Sequence, residues 1–274
     1  MSTSPEIWGI VNVTPDSFSD GGRHGSSEAA IAHGRRMAAE GAAVLDIGGE
    51  STRPGAAPVE PAQELERVGP VIEGLARLDL GVRISVDTRR ASVARRAIEI
   101  GASIVNDVSA ASDPDMLPVV AELGADLVLM HMRGQPRTMQ EAPEYEDVVA
   151  QVRATLQARA GAALEAGIPP SRLWVDPGIG FGKTLEHNLE LLRHLEQLVG
   201  DGLPVLLGAS RKSFLGRITG RDVCDRLAGS LACVARAREA GVAAIRVHEV
   251  RETFDLLRVI EAVSSGANGA DLKA

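Results

Sequence analysis

Short apolar runs rich in Val, Ile and Leu recur along the whole chain, and none of them shows the strict polar alternation of a half-exposed strand. Eight such runs cover residues 7–12, 43–48, 82–87, 103–106, 126–131, 172–176, 203–208 and 243–248. Unbroken apolar runs of this length are typical of strands that are buried on both faces of a parallel sheet. The pattern therefore predicts eight parallel strands.

Between these runs, the apolar positions recur with the spacing of amphipathic helices. Three predicted apolar helix faces are Leu65, Val68, Val71, Ile72, Leu75 and Leu78; Leu185, Leu189, Leu192, Leu195 and Leu198; and Val250, Phe254, Leu257, Ile260 and Val263. A glycine follows several helical stretches, as expected at helix C-termini. These glycines are Gly41, Gly101, Gly124, Gly167 and Gly241.

Strands that alternate with helices over 274 residues predict an α/β fold, a single-domain (β/α)8 TIM barrel. We expect the barrel to occupy residues 1–264 and residues 265–274 to form a disordered tail, because that tail is small and polar. The alternative is a doubly wound open sheet, since alternation by itself does not show that the sheet closes.

Composition narrows the class of protein. The net charge is −8 and no run of Lys or Arg stands out, which argues against a nucleic-acid surface. No uncharged apolar stretch approaches the roughly 18 residues of a membrane span, and the first residues do not resemble a signal peptide, so we expect a cytoplasmic protein. Cys224 and Cys233 lack the spacing of a zinc site or a redox pair.

Polar side chains gather at the predicted carboxyl ends of the strands. They are Asn12, Asp46, Asp87, Asn106, Asp107, His131, Asp176, Ser210, Lys212, Arg246 and His248. Barrel enzymes keep their active sites at this end of the barrel. The clustering therefore predicts an enzyme.

Two of these groups have competing explanations. Asp87 and Asp176 each follow a buried strand, where Asp can either cap the next helix or bind a ligand. Arg246 and His248 are two residues apart on a strand and so point to the same side, where they could join Lys212 around an anion. The alternative for this pair is a solvent-facing strand end.

The segment Gly178-Ile-Gly-Phe-Gly-Lys-Thr184 suggests a nucleotide-binding loop, but the Walker pattern requires glycine where Pro177 stands. A glycine-rich loop after a strand nevertheless lets a ligand approach the backbone closely. His131 lies on an apolar strand, where a histidine is either structural or catalytic.

Several segments together resemble the motifs of dihydropteroate synthases, in the family's order and over residues 9–250. They are Gly9–Gly22, Asp46–Gly55, Ser85–Thr88, Asn106–Val108, His131–Gln140, Asp176–Lys183, Gly208–Lys212 and Arg246–His248. The resemblance implies a transferase of folate biosynthesis that joins 6-hydroxymethyl-7,8-dihydropterin diphosphate to p-aminobenzoate and releases diphosphate. It also implies a sulfonamide-binding homodimer that uses Mg²⁺, with these small molecules as its partners.

The resemblance also assigns roles to individual residues. Mg²⁺ would be bound by Asn12 and Asp20. The pterin diphosphate would contact Thr52, Asp87, Asn106, Asp176, Lys212, Arg246 and His248. The p-aminobenzoate would contact Phe18, Arg53, Pro54, Phe181, Ser210 and Lys212. The catalytic group would be Asp87, Asp176, Lys212, Arg246 and His248.

Two alternatives share much of this resemblance. Pterin-binding methyltransferases have the barrel and the pterin-facing Asp and Asn residues, and a catalytically silent copy would act only as a binding protein. The stretches Asn12–Gly22 and Ser51–Ala57 are polar and rich in glycine or proline, so we expect mobile loops that order on ligand binding. This predicts that p-aminobenzoate binds after the diphosphate.

Overall fold

The computed structural model describes residues 4–14, 22–51, 55 and 58–265, with the side chains of residues 22–26 excepted. Within that part, eight strands alternate with helices. The strands are β1 (Glu6–Asn12), β2 (Val44–Gly48), β3 (Arg83–Asp87), β4 (Ile104–Asp107), β5 (Asp126–Met130), β6 (Leu173–Asp176), β7 (Leu206–Leu207) and β8 (Ala244–Val247). Each one lies within or beside one of the predicted apolar runs.

The helices surround the strands and fill most of the intervening sequence. They are α1 (Gly22–Ala39), α2 (Pro61–Ala76), α3 (Ala91–Glu99), α4 (Met116–Leu123), α5 (Val148–Glu165), α6 (Leu185–Arg193), α7 (Leu195–Val199), α8 (Ser213–Thr219), α9 (Leu227–Ala240) and α10 (Val250–Ser265). Residues 266–274, most of the predicted tail, lie outside the described part of the chain. None of the described helices is long and apolar enough to span a membrane.

All the strands pair in parallel, in the order β6-β5-β4-β3-β2-β1-β8-β7. The two ends of this order meet, because Val175 of β6 forms a parallel bridge with Val205, just before β7. The Val175 amide donates to the Pro204 carbonyl over 3.0 Å. The predicted (β/α)8 barrel is therefore confirmed, and the open-sheet alternative is wrong.

The barrel interior is built in layers because alternate residues of each strand point inward. The middle layer is apolar and consists of Trp8, Val44, Ile104, Val128, Trp174, Leu206 and Ala244. Below it, toward the strand N-termini, Arg83 forms ion pairs with Glu6 (2.5 Å) and Asp126 (3.5 Å). The apolar layer separates these charges from the polar side chains of the carboxyl end.

The helix faces agree with the predicted periodicity in part. On α10, Val250 and Leu257 are buried, but Phe254 and Val263 of the predicted face are exposed. On α2, Val68, Val71, Ile72 and Leu75 are buried, but Leu78 lies beyond the end of the helix and is exposed. The predicted leucine helix over 185–198 is divided into α6 and α7 at His194. Its Leu189 is exposed as well, while Leu191 takes the buried position.

The five predicted C-terminal glycines all have positive φ angles, as that position requires. Gly124 shows the reason, because at φ 68° its amide still donates to the Val120 carbonyl and closes the last turn of α4. These glycines end helices at points where the chain turns toward the next strand.

Candidate active site

A polar layer lies directly above the apolar layer of the barrel. Asp46, Asn106, Asp176 and Arg246 each come two residues after a member of the apolar layer, and so they also point inward. Asp46, Asn106 and Asp176 are buried. Buried polar groups need partners, so their contacts define what the barrel mouth can bind.

Arg246 joins two carboxylates in this layer. Its Nε donates to Asp46 Oδ2 over 2.5 Å, and its Nη2 donates to Asp87 Oδ2 over 2.7 Å. The Asn106 carboxamide donates to the same Asp46 oxygen over 3.1 Å. Arg246 therefore lies inside the barrel, and the solvent-facing alternative is wrong for this residue.

Asp46 is a member of the site that the sequence left without a role. Its side chain is fully buried, and its Oδ1 has no hydrogen-bond partner among the described residues. The available signal was a carboxylate in the middle of the apolar run Val44–Gly48. A buried oxygen without a partner is an acceptor to which a ligand can donate.

The helix-cap explanation of the two other carboxylates fails. The residue before α3 is Arg90, and the first amide of the helix, that of Ala91, donates to Asp113 Oδ2 over 2.9 Å, so Asp87 is not the cap. Asp176 is followed by a loop that extends to Thr184, the residue that caps α6. Asp176 Oδ1 instead accepts from the Gly178 amide over 2.7 Å.

Burial dominates the electrostatics of this layer. Burial raises the pKa of Asp87 to about 7. The attraction of Arg246 lowers this pKa, and the repulsion of Asp46 raises it further. Burial also raises the pKa of Asp176, while the charge of Lys212 opposes the shift. For Arg246, burial favours the neutral form, but the attraction of Asp46 and Asp87 is stronger, and the pKa lies above its ordinary value.

Lys212 and Phe181 come together beside Asp176, as the resemblance implies for two groups of one pocket. The Lys212 ammonium lies 4.6 Å from the centre of the Phe181 ring and donates to the Ile179 carbonyl. Burial lowers the pKa of Lys212 to about 8, with Asp176 opposing the shift. Gly208 has no side chain, which leaves space between Asp176 and Arg246.

Ser210 and His248 also meet at the barrel mouth. Ser210 Oγ lies 2.8 Å from His248 Nδ1 and 3.3 Å from a carboxylate oxygen of Glu249. Glu249 is held in turn by Arg211. The Ser210 hydroxyl thus fixes the orientation of the half-buried imidazole.

The glycine-rich loop does not have the geometry of a nucleotide-binding loop. In a Walker loop the lysine reaches toward phosphate. Here Lys183 is only 2% exposed and donates to the carbonyls of Gly178 and Phe181, each over 3.0 Å. The nucleotide hypothesis is therefore excluded.

His131 has a structural role in the same region. Its Nδ1 lies 2.9 Å from Lys183 Nζ, and burial together with the Lys183 charge lowers its pKa to about 3. The imidazole is neutral and accepts from the ammonium. Of the two explanations for His131, the structure favours the structural one.

The predicted metal and loop residues are described only in part. Asn12 ends β1, is half-buried and pairs in register with Gly48. The remaining predicted residues Phe18, Asp20, Thr52, Arg53 and Pro54 lie outside the described residues. In the described part, no group of three or more His, Cys, Asp or Glu side chains is arranged to hold a metal ion.

The sequence matches the family described as "Pterin binding enzyme" over residues 8–248. The chain belongs to this family. The dihydropteroate synthase of Escherichia coli (strain K12) is 48% identical over 261 residues, which are 95% of this chain and 92% of the relative. The dihydropteroate synthase of Mycobacterium leprae is 48% identical over an alignment of 276 positions, which covers 96% of this chain and 95% of the relative.

Solved structures of dihydropteroate synthases have the same fold. The Xanthomonas albilineans enzyme with 4-aminobenzoic acid has a TM-score of 0.90 and 50% identity, covering 95% of this chain and 93% of that one. The same species' enzyme with 7,8-dihydropteroate has a TM-score of 0.88 and 47% identity, with 97% and 95% covered. The Yersinia pestis enzyme with a sulfonamide drug has a TM-score of 0.90 and 44% identity, with 96% and 95% covered.

These relatives are dihydropteroate synthases, so the family predicted from the motifs is confirmed. The protein is a pterin-binding transferase of folate biosynthesis. The relatives carry the synthase name and not that of a methyltransferase, which decides against the methyltransferase alternative.

Proposed function

We propose that this enzyme condenses 6-hydroxymethyl-7,8-dihydropterin diphosphate with p-aminobenzoate to give 7,8-dihydropteroate and diphosphate. The observation that carries the proposal is the buried polar layer around Arg246, at the barrel end where such enzymes bind their substrates. The relatives crystallised with 4-aminobenzoic acid and with 7,8-dihydropteroate support the choice of substrates.

The pterin ring would lie against Asp176 and Asn106, with Asp87 and Lys212 beside it. A pterin carries a 2-amino group next to a ring N–H, and these two adjacent donors match one carboxylate. Asp176 Oδ1 is already bonded to the Gly178 amide, which fixes the carboxylate before the ligand arrives. Such preorganisation lowers the cost of binding.

The reaction breaks the bond between the pterin CH2 carbon and the diphosphate oxygen, and it forms a bond between that carbon and the amine nitrogen. The amine then loses a proton to solvent. Positive charge that develops on the pterin is stabilised by the buried Asp87 and Asp176. Holding the amine in line with the CH2 group supplies most of the remaining rate enhancement.

The departing diphosphate would be bound by Arg246 and His248. Arg246 donates through Nε to Asp46 and through Nη2 to Asp87. A guanidinium has five N–H donors, so others are available for the diphosphate. His248 follows two residues later on the chain, nearer the mouth, with its imidazole oriented by Ser210. Phe181, Lys212 and Ser210 would contact p-aminobenzoate.

Asn12 fits a magnesium site. Asn12 ends β1 and has a carboxamide oxygen, and Mg²⁺ prefers one or two protein oxygens together with substrate phosphates and water. Asn12, with Asp20, would hold the ion. When bound, Mg²⁺ would neutralise charge on the diphosphate and make it a better leaving group.

A turnover assay with 6-hydroxymethyl-7,8-dihydropterin diphosphate, p-aminobenzoate and Mg²⁺ tests the proposal. We expect 7,8-dihydropteroate and diphosphate in equal amounts. A folded enzyme that binds the pterin diphosphate but forms no product would instead be the catalytically silent binding protein.

We further propose that binding is ordered, with diphosphate and Mg²⁺ preceding p-aminobenzoate. The basis is the sequence of Asn12–Gly22 and Ser51–Ala57, which carries both the proposed diphosphate contacts and the proposed pocket residues Phe18 and Pro54. Sulfonamides would follow the same order. Titration of a sulfonamide with and without diphosphate and Mg²⁺ should give tighter binding in their presence, and equal affinity would contradict the order.

A cytoplasmic homodimer completes the proposal. Exposed apolar side chains occur on α10 at Phe254, Val259 and Val263, and near α8 at Ile218 and Val223. Because α9 packs against both helices, these side chains belong to neighbouring elements. Such a surface suits contact with a second copy.

A further inference from the structure

The loop between β6 and α6 is held by its carbonyl oxygens. All five consecutive carbonyls from Gly178 to Gly182 accept hydrogen bonds from side chains. The donors are Lys183 to Gly178 (3.0 Å), Lys212 to Ile179, Gln140 to Gly180 (2.7 Å), Lys183 to Phe181 (3.0 Å) and Tyr145 to Gly182 (2.9 Å). A loop with five consecutive carbonyls bonded to side chains has one defined shape.

Lys183 is the centre of this arrangement. Its ammonium has three close acceptors, the carbonyls of Gly178 and Phe181 and the Nδ1 atom of His131, and an ammonium has three protons to donate. Burial lowers the pKa of Lys183 to about 7, with the attraction of Asp176 opposing the shift. The charged form suits the contacts, because a neutral amine would turn its lone pair toward one of the acceptors.

Glycine is required for the loop to close around this ammonium. Gly178 and Gly182 have φ angles of 65° and 61°. A Cβ atom would lie 1.9 Å from the His131 carbonyl oxygen at Gly178 and 2.3 Å from the Arg133 carbonyl oxygen at Gly182. The loop therefore packs directly on the backbone that follows β5.

The opposite side of the loop faces the proposed substrate pocket. It holds the Phe181 ring 4.6 Å from Lys212 Nζ, and it places the Ile179 carbonyl on the same ammonium. Lys183 is buried behind these groups. Its ammonium bonds the Phe181 carbonyl, which belongs to the residue whose ring lies near Lys212.

We propose that Lys183 is a positioning residue for p-aminobenzoate. Its buried ammonium bonds the loop that carries Phe181 and so determines the shape of that loop. This inference rests on the proposed function, since it takes Phe181 as a wall of the p-aminobenzoate pocket. The pterin carboxylate Asp176 belongs to strand β6 and is bonded to the loop through the Gly178 amide; the Lys183 charge also attracts it, but the attraction of Lys212 is larger and would remain. Removing the ammonium should therefore affect the two substrates unequally.

The experiment compares Lys183→Met with the unchanged enzyme. We expect the KM for p-aminobenzoate to rise by about ten- to a hundredfold, the scale of a substrate misplaced by about 1 Å. The Kd for the pterin diphosphate should change by less than about threefold, a loss below the roughly 1 kcal/mol net value of one hydrogen bond. Hydrogen exchange at the amides of residues 178–184 should become faster.

Arg83→Met is the matched control, because it removes a cation that bonds two carboxylates at the opposite end of the barrel. It should lower stability and leave both substrate constants unchanged. If Lys183→Met does not fold, His131→Leu removes one acceptor, and His131→Gln retains an acceptor in the side chain. The KM should then rise more in His131→Leu than in His131→Gln.

An unchanged KM for p-aminobenzoate in folded Lys183→Met, or an equal loss of affinity for both substrates, would overturn the proposal. So would equal KM values in the two His131 variants. If the unchanged enzyme itself formed no dihydropteroate, the proposed function would fail. Hydrogen exchange and direct binding of p-aminobenzoate would still decide the role of Lys183.

Discussion

Arg246 pairs with two carboxylates at once, and this pairing determines what the barrel mouth can bind. A buried ion pair costs desolvation, and breaking it leaves an uncompensated charge, so Asp46 and Asp87 depend on the same guanidinium. The free Oδ1 of Asp46 adds an acceptor with no described partner. Both features suit a ligand that presents several N–H donors.

Asp176→Asn should weaken pterin binding by about 2 kcal/mol, because an amide donor would then face ring donors and leave a buried group unmatched. Isothermal titration with a pterin measures this loss. Asp126→Asn is the control, since Asp126 lies at the other end of the barrel in contact with Arg83. Unchanged pterin affinity in folded Asp176→Asn would refute the assignment.

Asp87 should make the stability of the fold depend on pH. Its pKa is raised from 3.8 to about 7 by burial, so the folded state binds more protons than the unfolded state between these values. The contribution of Asp87 to the free energy of unfolding therefore decreases as pH rises from about 4 to about 7, by up to a few kcal/mol. In urea unfolding, the free energy of unfolding of Asp87→Asn should decrease less between about pH 4 and about pH 7 than that of the unchanged enzyme. A stability difference between variant and unchanged enzyme that is independent of pH would contradict the shift.

The residues of the site differed in how far the sequence could predict them. Asp87, Asp176 and Arg246 were found because each lies at or next to the end of a strand and belongs to a recognisable motif. Asp46 received no role because its partners Asn106 and Arg246 are distant in sequence. Lys183 received none because its contacts depend on the shape of its own loop and on the distant His131. The contact of Arg246 with Asp46 joins residues 200 positions apart, and only the closed sheet brings them together.

Among the elements, strands were easier to locate than helix interruptions. Buried strands of a barrel are continuous apolar runs, which the sequence displays directly. The break between α6 and α7 occurs at His194, with φ −109° and ψ 29°, while the leucine spacing continues through it. Neither Gly nor Pro marks this break, so the local pattern did not predict it.

The loop between β6 and α6 gives a test at the scale of an element. Gly178→Ala should destabilise the fold by several kcal/mol, because its Cβ would overlap the His131 carbonyl at 1.9 Å and its φ is positive. Gly202→Ala is the matched control, with φ 91° but no atom within 4 Å of its Cβ. It should cost only about 1–2 kcal/mol of backbone strain. If Gly178→Ala and Gly202→Ala lowered the free energy of unfolding equally, the loop would be able to move away from the His131 carbonyl without loss of stability.

Closure of the barrel is a property of the whole molecule, and the order of elements could not establish it. Alternating strands and helices also fit an open sheet. The decisive contact is the bridge between Val175 of β6 and Val205. Val205 directly precedes β7, which has only two residues. Such a short strand carries too weak a pattern to reveal its partners.

At the same scale, we expect sedimentation at micromolar concentration to give the mass of two chains. On α8, Ile218 is 54% exposed, and on α10, Val259 and Val263 are 61% and 78% exposed; contact with a second copy would remove these apolar side chains from water. Val259→Asp should weaken the dimer, because a charge in an apolar contact loses its water without gaining a partner.

Leu164→Asp is the control for this test. Leu164 is 44% exposed on α5, away from α8 and α10 along the chain, so a charge there should leave the mass unchanged. Turnover should be measured on the same samples, since the described polar layer lies within one barrel and does not require a second copy. A monomer mass for the unchanged enzyme would refute the dimer. Dissociation by Leu164→Asp and not by Val259→Asp would place the interface on another face.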